Sequence, residues 1–492
     1  MKIDLLRKLP EHMDTLVLLL DSKSKVDDID HLPTHFKESI EAYVKKEEFK
    51  PEYGKMKSFQ TVFKKHVSNI ILCGAGVAAN LTADKLRRLF ADITRSAIRL
   101  KASNVYLFPS FAPPIGDTQY GHVLAEAALM TEYKFTKYLS QEKPHAIGSL
   151  HLALNVKSTR YINRGIIEGR LYAEVTNLAR NLVNEPANVI YPETLAEAAK
   201  KAALKYGFSI DVYPMDRIRR LKMEAYLAVG KGSKAEPKLI VMRHMGNPDA
   251  KNKTIGLIGK GLTYDSGGYC LKPPQSMLNM KNDMAGSAAV IGAMCAAATL
   301  KLKVNIVAVV AACENMISGE AYHTGDLLRT MSGKTIEVIN TDAEGRLTLV
   351  DAIHYAITKE KVDKILDIAT LTGAAVGALG TEITPVVTND DAWLAKLEAA
   401  SEFTGEAIWR LPAHESYNEL IKSQIADLKN TGGPFAGTIT AALFIREFVG
   451  NKPWIHLDIA GTALRDKESG MYSVGATGVG VRLITQLLRE MA

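Results

Sequence analysis

At 492 residues the chain exceeds what one ordinary core can organise, so two domains, or three, are expected. With 47% hydrophobic and 23% charged residues it has the make-up of a soluble globular protein and leaves no need for disorder. The formal charge of +7 is the small difference between 61 basic and 54 acidic residues, a weak footing for a nucleic-acid or membrane partner.

The first continuous apolar run, 16–20, is closed at once by Asp21. It has the length of a strand rather than of a signal peptide or a membrane span, no later stretch is long and apolar enough either, and a cytoplasmic location is expected. Cys73, Cys270, Cys295 and Cys313 lie far apart and read as free thiols of a reducing compartment, with packing as the expected role of Cys270. The basic runs Lys45-Lys46, Lys64-Lys65 and Arg87-Arg88 read as solvated faces.

Segments 16–20, 69–73 and 104–108 have the character of strands and 82–100 that of a helix, which predicts a small α/β domain over 1–160. Gly74-Ala75-Gly76-Val77-Ala78-Ala79 follows a strand and precedes a helix, the setting of a dinucleotide-binding turn. Ala79 stands at the third glycine position, however, and no second βαβ unit closed by an acid follows, so a plain glycine turn is expected. His31 and His35 are the one close histidine pair; Pro33 between them argues for a polar loop rather than a metal site. Helical spacing over 163–184, ended by Asn184-Glu185-Pro186, predicts a linking helix at 161–184.

Over 185–492 the pattern alternates. Helices are expected at 195–206, 284–300, 347–358 and 479–491, and strands at 225–229, 238–242, 254–258, 304–310, 364–369 and 454–459. Apolar strands interleaved with helices imply a mostly parallel central sheet covered by helices on both faces. The predicted fold class is thus α/β with two domains, the N-terminal one smaller. Sites of such sheets collect at the C-terminal ends of the strands.

Two stretches belong on that edge. One is Asn340-Thr341-Asp342-Ala343-Glu344-Gly345-Arg346-Leu347; the other is Gly259-Lys260-Gly261-Leu262-Thr263-Tyr264-Asp265-Ser266-Gly267-Gly268, with Lys272 and Asp283 close behind. The carboxylates Asp265, Asp283, Asp342 and Glu344 cannot all stay ionised in one pocket without countercharge, and two divalent cations would balance them. An all-oxygen site suits Mg or Mn as well as Zn. Lys260, read on a glycine-flanked turn, would be driven toward its neutral, ligating form beside such cations. Lys272 and Arg346 at the rim could stabilise an oxyanion formed from a carbonyl. Other schemes fit worse: Ser266 lacks the framing of a nucleophile elbow, and Leu328 stands where a phosphate loop ending in Gly333-Lys334-Thr335 would need glycine.

At this point the residues resemble a known family. Asn340 to Leu347 reads like the signature of the leucyl aminopeptidases, the cytosol aminopeptidase or M17 family. The resemblance extends over 259–268, Lys272-Pro273, 280–284, 367–373 and 475–480, most of 180–492, whereas the N-terminal part matches only in its α/β character. It implies a catalytic peptidase domain over 185–492 that removes N-terminal residues, leucine and other large apolar ones preferred, from peptides. It implies two divalent cations per subunit, Mn or Zn, with Mg or Co also compatible. Asp265 and Glu344 would bridge them, Lys260 and Asp283 would complete the tighter site, and Asp342 the exchangeable one. Lys272 would polarise the scissile carbonyl, and Arg346 would hold a bicarbonate acting as general base. Leu371 would offer its carbonyl to the substrate, while Met280, Thr370, Gly373, Ala460 and Ala463 would line the side-chain pocket. Members resemble one another in forming homohexamers.

Two departures stand out. Met316-Ile317-Ser318-Gly319 and His323-Thr324-Gly325-Asp326 replace the usual Met-Pro-Ser-Gly and Arg-Pro-Gly-Asp, and a small Ala463 would widen the pocket and blur a strict leucine preference. The rival readings are a DNA-binding protein acting through its N-terminal domain, as some relatives do, and another two-metal hydrolase such as a phosphoesterase.

Overall fold

The computed structural model describes residues 1–23, 32–112, 114–140, 145–154, 159–250 and 253–492. The chain divides into two compact units, Met1–Glu174 with Lys467–Ser473 and Val175–Asp466 with Val474–Ala492.

In the first unit, strands β1 (Lys2–Leu6), β2 (Thr15–Asp21), β3 (Met56–Phe63), β4 (His66–Gly76), β5 (Asn104–Pro109) and β6 (Ser149–Ala153) form one sheet in the order β1-β6-β5-β2-β4-β3. Among the described residues only its β3–β4 pair is antiparallel. Helices α1 (Thr34–Glu47), α2 (Ala83–Arg99) and α3 (Asp117–Glu132) accompany it. Leu16 to Leu19 in β2 are all fully buried, which is why this central strand reads as an unbroken apolar run. Val17 and Leu19 join the core of α2 and α3, whereas Leu16 and Leu18 join Phe36 and Ile40 of α1 on the other face. The glycines of the 74–79 stretch serve close packing. A Cβ on Gly74 would lie 2.2 Å from the Glu52 carbonyl oxygen, and Gly76, at φ +67°, donates its N–H to Pro51 O at 2.9 Å. Of the histidine pair, His31 lies outside the described residues. His35 sits in α1 rather than in a loop and stacks on Phe63 with ring centres 3.9 Å apart.

Helix α4 (Arg160–Asn184) carries the boundary between the units. The second unit continues with α5 (Pro192–Tyr206), β7 (Ser209–Tyr213), α6 (Met215–Arg220), α7 (Glu224–Gly230) and β8 (Lys238–Met245). Next come β9 (Thr254–Asp265), α8 (Pro274–Met277), α9 (Ala285–Thr299), β10 (Asn305–Asn315), β11 (Leu327–Arg329) and β12 (Thr335–Glu337). They are followed by α10 (Gly345–Thr358), β13 (Lys364–Ala369), α11 (Gly373–Leu379), β14 (Thr384–Thr388), α12 (Asp391–Thr404) and β15 (Ile408–Arg410). The chain closes with β16 (Leu428–Lys429), α13 (Gly437–Arg446), β17 (Trp454–Asp458), β18 (Leu464–Arg465), β19 (Gly475–Ala476) and α14 (Val481–Met491).

The central sheet runs β15-β14-β17-β13-β9-β10-β8-β7. Its middle, β17-β13-β9-β10, is parallel, and the β7–β8, β8–β10 and β14–β17 pairings are antiparallel. This is the two-domain α/β architecture expected, with helices on both faces of a mixed, mostly parallel sheet. Helix α9 is buried from Ala285 to Ala298, so it has no polar face, and its small residues let it lie close to the strands. A Cβ on Gly286 would meet Ile368 O at 2.1 Å, and one on Gly259 would meet Gly286 O at 2.7 Å.

Two expectations are corrected. Residues 225–229 form α7 rather than a strand: Ala225, Tyr226 and Val229 are the buried ones, an i, i+1, i+4 spacing that a five-residue apolar run does not distinguish from a strand. Lys260 and Asp265 do not follow their strand but lie within β9, which runs on to Asp265. The glycines flanking Lys260 mark close packing in the sheet, not a turn.

Candidate active site

The parallel strands β9, β10, β13 and β17 bring their C-terminal ends to one edge, where the segment 340–344 also enters α10. Gly267 (φ +87°) and Gly268 (φ +61°) turn the chain sharply after β9. A Cβ at Gly267 would lie 2.5 Å from Cys270 O, and the Thr341 hydroxyl donates to Gly267 O at 2.7 Å while accepting from Cys270 N at 2.8 Å. The two stretches read as partners in the sequence are therefore hydrogen-bonded to each other.

Asn315, at the end of β10, completes the join. Its amide donates to Asp265 Oδ1 at 2.8 Å and to Thr341 O at 3.0 Å, and Tyr322 also donates to Thr341 O, at 2.7 Å. Asn430 accepts from the Ile339 and Asn340 N–H groups and donates to Asn340 O. Sequence reasoning missed these positioning residues. Asn315 carried a signal, a polar residue closing an apolar strand, whereas Asn430 sits in a loop with none.

On this frame Lys260 Nζ lies 2.7 Å from Asp283 Oδ1, 2.9 Å from Glu344 Oε1 and 2.9 Å from Thr370 O. Gly345 leaves room for that lysine, since a Cβ there would come within 2.4 Å of Lys260 Cε and displace one or the other. Lys272 Nζ lies 2.9 Å from Asp265 Oδ2 and pairs with Asp342 Oδ1. Oxygens of Asp265, Asp342 and Glu344 can be chosen within 4.8 Å of one another.

Burial and crowding with like charge set the electrostatics. Burial, followed by repulsion from Asp265, pushes Glu344 up to about 8; burial raises Asp283 to about 6 despite the attraction of Lys260. Burial raises Asp342 as well. For both lysines burial disfavours the ammonium, but the surrounding carboxylates outweigh it and hold Lys260 and Lys272 well above the usual range. Burial pulls Arg346 down to about 10, and its Nε and Nη1 have no hydrogen-bond partner among the described residues.

Asp283 Oδ2 and Glu344 Oε2 are likewise buried without a partner among those residues. A buried acceptor left unsatisfied is costly, so hard acceptors gathered around a negative centre fit divalent cations, and the unpaired guanidinium edge beside them fits a small oxyanion.

These groups line a cavity of about 560 Å³ whose wall includes Lys260, Asp265, Lys272, Met280, Asp283, Asp342, Glu344, Arg346, Thr370, Leu371, Gly373 and Ala460. Ala463 is buried and is not among the residues that line this cavity; its carbonyl accepts from Thr477 N at 3.0 Å. The divergent loop packs on the β9 turn, where Tyr269 donates to Ser318 O at 3.0 Å and stacks on His323. No helix among the described residues is long and apolar enough to cross a membrane.

Residues 177–485 match the catalytic domain of the cytosol aminopeptidase family, and residues 16–142 match its N-terminal domain. A probable cytosol aminopeptidase of Clostridium perfringens is 49% identical, with 90% of each chain covered. One of Clostridium tetani is 45% identical, with 96% of each covered. Among solved structures, the bottromycin maturation enzyme BotP in complex with Mn superposes with a TM-score of 0.86 at 31% identity, over 98% of this chain and 100% of that one. The chain belongs to the cytosol aminopeptidase family, divalent-metal-dependent metallo-exopeptidases that act on peptides.

Proposed function

We propose that the cavity is a dinuclear aminopeptidase site that cleaves the N-terminal peptide bond, with leucine and other large apolar residues preferred. The observation that carries this reading is the set of buried carboxylate oxygens of Asp283 and Glu344, without a partner among the described residues, beside Asp265 and Asp342 at the C-terminal ends of the parallel strands of a mixed sheet. Lys260, Asp265, Asp283, Asp342 and Glu344 would hold two divalent cations. Mn and Zn are the leading candidates, Mg and Co the others, and the Mn in the BotP structure favours the first. When bound, the cations supply Lewis acidity and a nucleophilic water at neutral pH.

The chain's own residues supply orientation and charge. Lys272, anchored between Asp265 and Asp342, places an ammonium where negative charge develops on the scissile carbonyl oxygen. Arg346 offers Nε and Nη1 to a small oxyanion, for which bicarbonate is the candidate. The Leu371 carbonyl receives a substrate N–H, and Met280, Thr370, Gly373 and Ala460 border the side chain of the residue to be released.

We further propose residues 1–160 as an N-terminal domain, 161–184 as a linking helix and 185–492 as the catalytic domain, in a cytoplasmic homohexamer. A chelated preparation titrated with Mn or Zn tests the reading: hydrolysis of leucyl-p-nitroanilide should vanish and return. Hydrolysis that persists without metal, or that appears only with phosphate esters, contradicts it.

A further inference from the structure

One buried carboxylate stands behind the cavity wall, outside the acid cluster. Asp458 ends β17 fully buried, and its Oδ1 accepts from Leu371 N at 3.1 Å, Thr372 N at 3.4 Å and Ala460 N at 3.2 Å. Its Oδ2 accepts from the Thr372 hydroxyl at 2.6 Å. That hydroxyl in turn accepts from Ala375 N at the start of α11 and pairs with the Thr438 hydroxyl at 2.9 Å.

These bonds pin two consecutive peptide planes. The plane between Thr370 and Leu371 is held at both ends, its carbonyl by Lys260 Nζ at 2.9 Å and its N–H by Asp458. In the next plane Asp458 takes the Thr372 N–H, and because a trans peptide sets its C=O opposite its N–H, the Leu371 carbonyl must point away from Asp458. The same oxygen holds Ala460, so Leu371 and Ala460, both on the cavity wall, share one anchor. Further back along β17, Trp454 Nε1 and His456 Nδ1 grip Asp367 of β13 at 2.6 and 2.5 Å, which ties the two strands together behind that anchor.

We infer that Asp458 is a positioning residue for the peptide substrate: it aims the Leu371 carbonyl at a fixed distance from Lys260 and holds the Ala460 wall in register with it. This rests on the proposed contact between Leu371 and substrate.

The test uses the full-length, metal-loaded enzyme with leucyl- and alanyl-p-nitroanilide, alongside metal analysis and thermal unfolding. Asp458→Ala should retain its metal yet lose about 100-fold in kcat/KM on the leucyl substrate, the scale of an ångström misplacement. Its preference for leucyl over alanyl should fall about tenfold as the wall loosens. Asp458→Asn, whose amide oxygen can accept the same three N–H groups, should recover to within about threefold of wild type. Thr372→Val carries the test should Asp458→Ala not fold, because it removes one donor to Asp458; a loss of about tenfold on the leucyl substrate is expected.

A folded, metal-loaded Asp458→Ala within about threefold of wild type overturns the inference, as does equal loss on both substrates matched by loss of metal. In the absence of a folded Asp458→Ala, unchanged kinetics in Thr372→Val overturn it. A wild-type enzyme inactive on both anilides overturns instead the aminopeptidase reading.

Discussion

Glycines stand at the C-terminal end of a strand twice, Gly74 and Gly76 within the last residues of β4 and Gly267 and Gly268 just after β9, and the two ends do different work. At the first, the space a side chain would need is filled by the chain's own segment, with Glu52 O 2.2 Å from a Cβ on Gly74. At the second, the glycines let Asp265 and Asp342 approach each other beside a cavity of about 560 Å³. Local pattern is the same; what separates them is whether the neighbouring polar atoms are satisfied. Around Gly74 and Gly76 the backbone groups bond to one another, whereas in the cavity that Asp265 and Asp342 line, buried carboxylate oxygens of Asp283 and Glu344 have no partner among the described residues. Unsatisfied buried acceptors, more than glycine spacing, distinguish a binding turn from a packing turn.

The contrast can be broken from either side. The largest effect is expected from Glu344→Ala: activity should fall by about 10³-fold or more and bound metal should fall with it, read by elemental analysis alongside leucyl-anilide turnover. Lys272→Ala should leave the metals in place and lower kcat by about 10²–10³-fold, the scale of one lost oxyanion-stabilising group. Loss of metal in that variant would place Lys272 among the ligands.

Gly345→Ala drives a methyl against Lys260 Cε and should cost about 10-fold to 100-fold in kcat/KM through displacement of the lysine. The smallest catalytic effect belongs to the other turn. Gly74→Ala should lower stability by about 1–3 kcal/mol in denaturant unfolding, with unchanged kcat/KM per folded molecule. A catalytic defect there would mean that the first turn is more than packing.

The fold class is legible in the sequence, and so is the gathering of the charged residues in one cavity; the bounds of single elements are less so. Acids, lysines and an arginine crowded into two short stretches at strand ends are costly to bury unless they share a pocket with countercharge, and the family motif assigns each of them a place. What stays hidden depends on long-range contact. Asn430 reaches Asn340 across ninety positions, and Asp458 reaches Leu371 across eighty-seven; neither pairing leaves a local pattern. Short apolar runs mislead as well, since Ala225, Tyr226 and Val229 bury a helix face within a stretch brief enough for a strand. Lys260 has the look of a turn residue because glycines flank it, although those glycines answer to α9 and β10 packed against β9.

In the proposed dinuclear site two cations act together on the acids of β9 and the 340–344 segment and on Asp283. Stepwise titration of the metal-free enzyme with Mn, following leucyl-anilide turnover and bound metal per subunit in the same samples, tests it most directly. Full activity should be reached only as binding approaches two ions per subunit, whereas full activity at one ion, or undiminished activity with none, would contradict it.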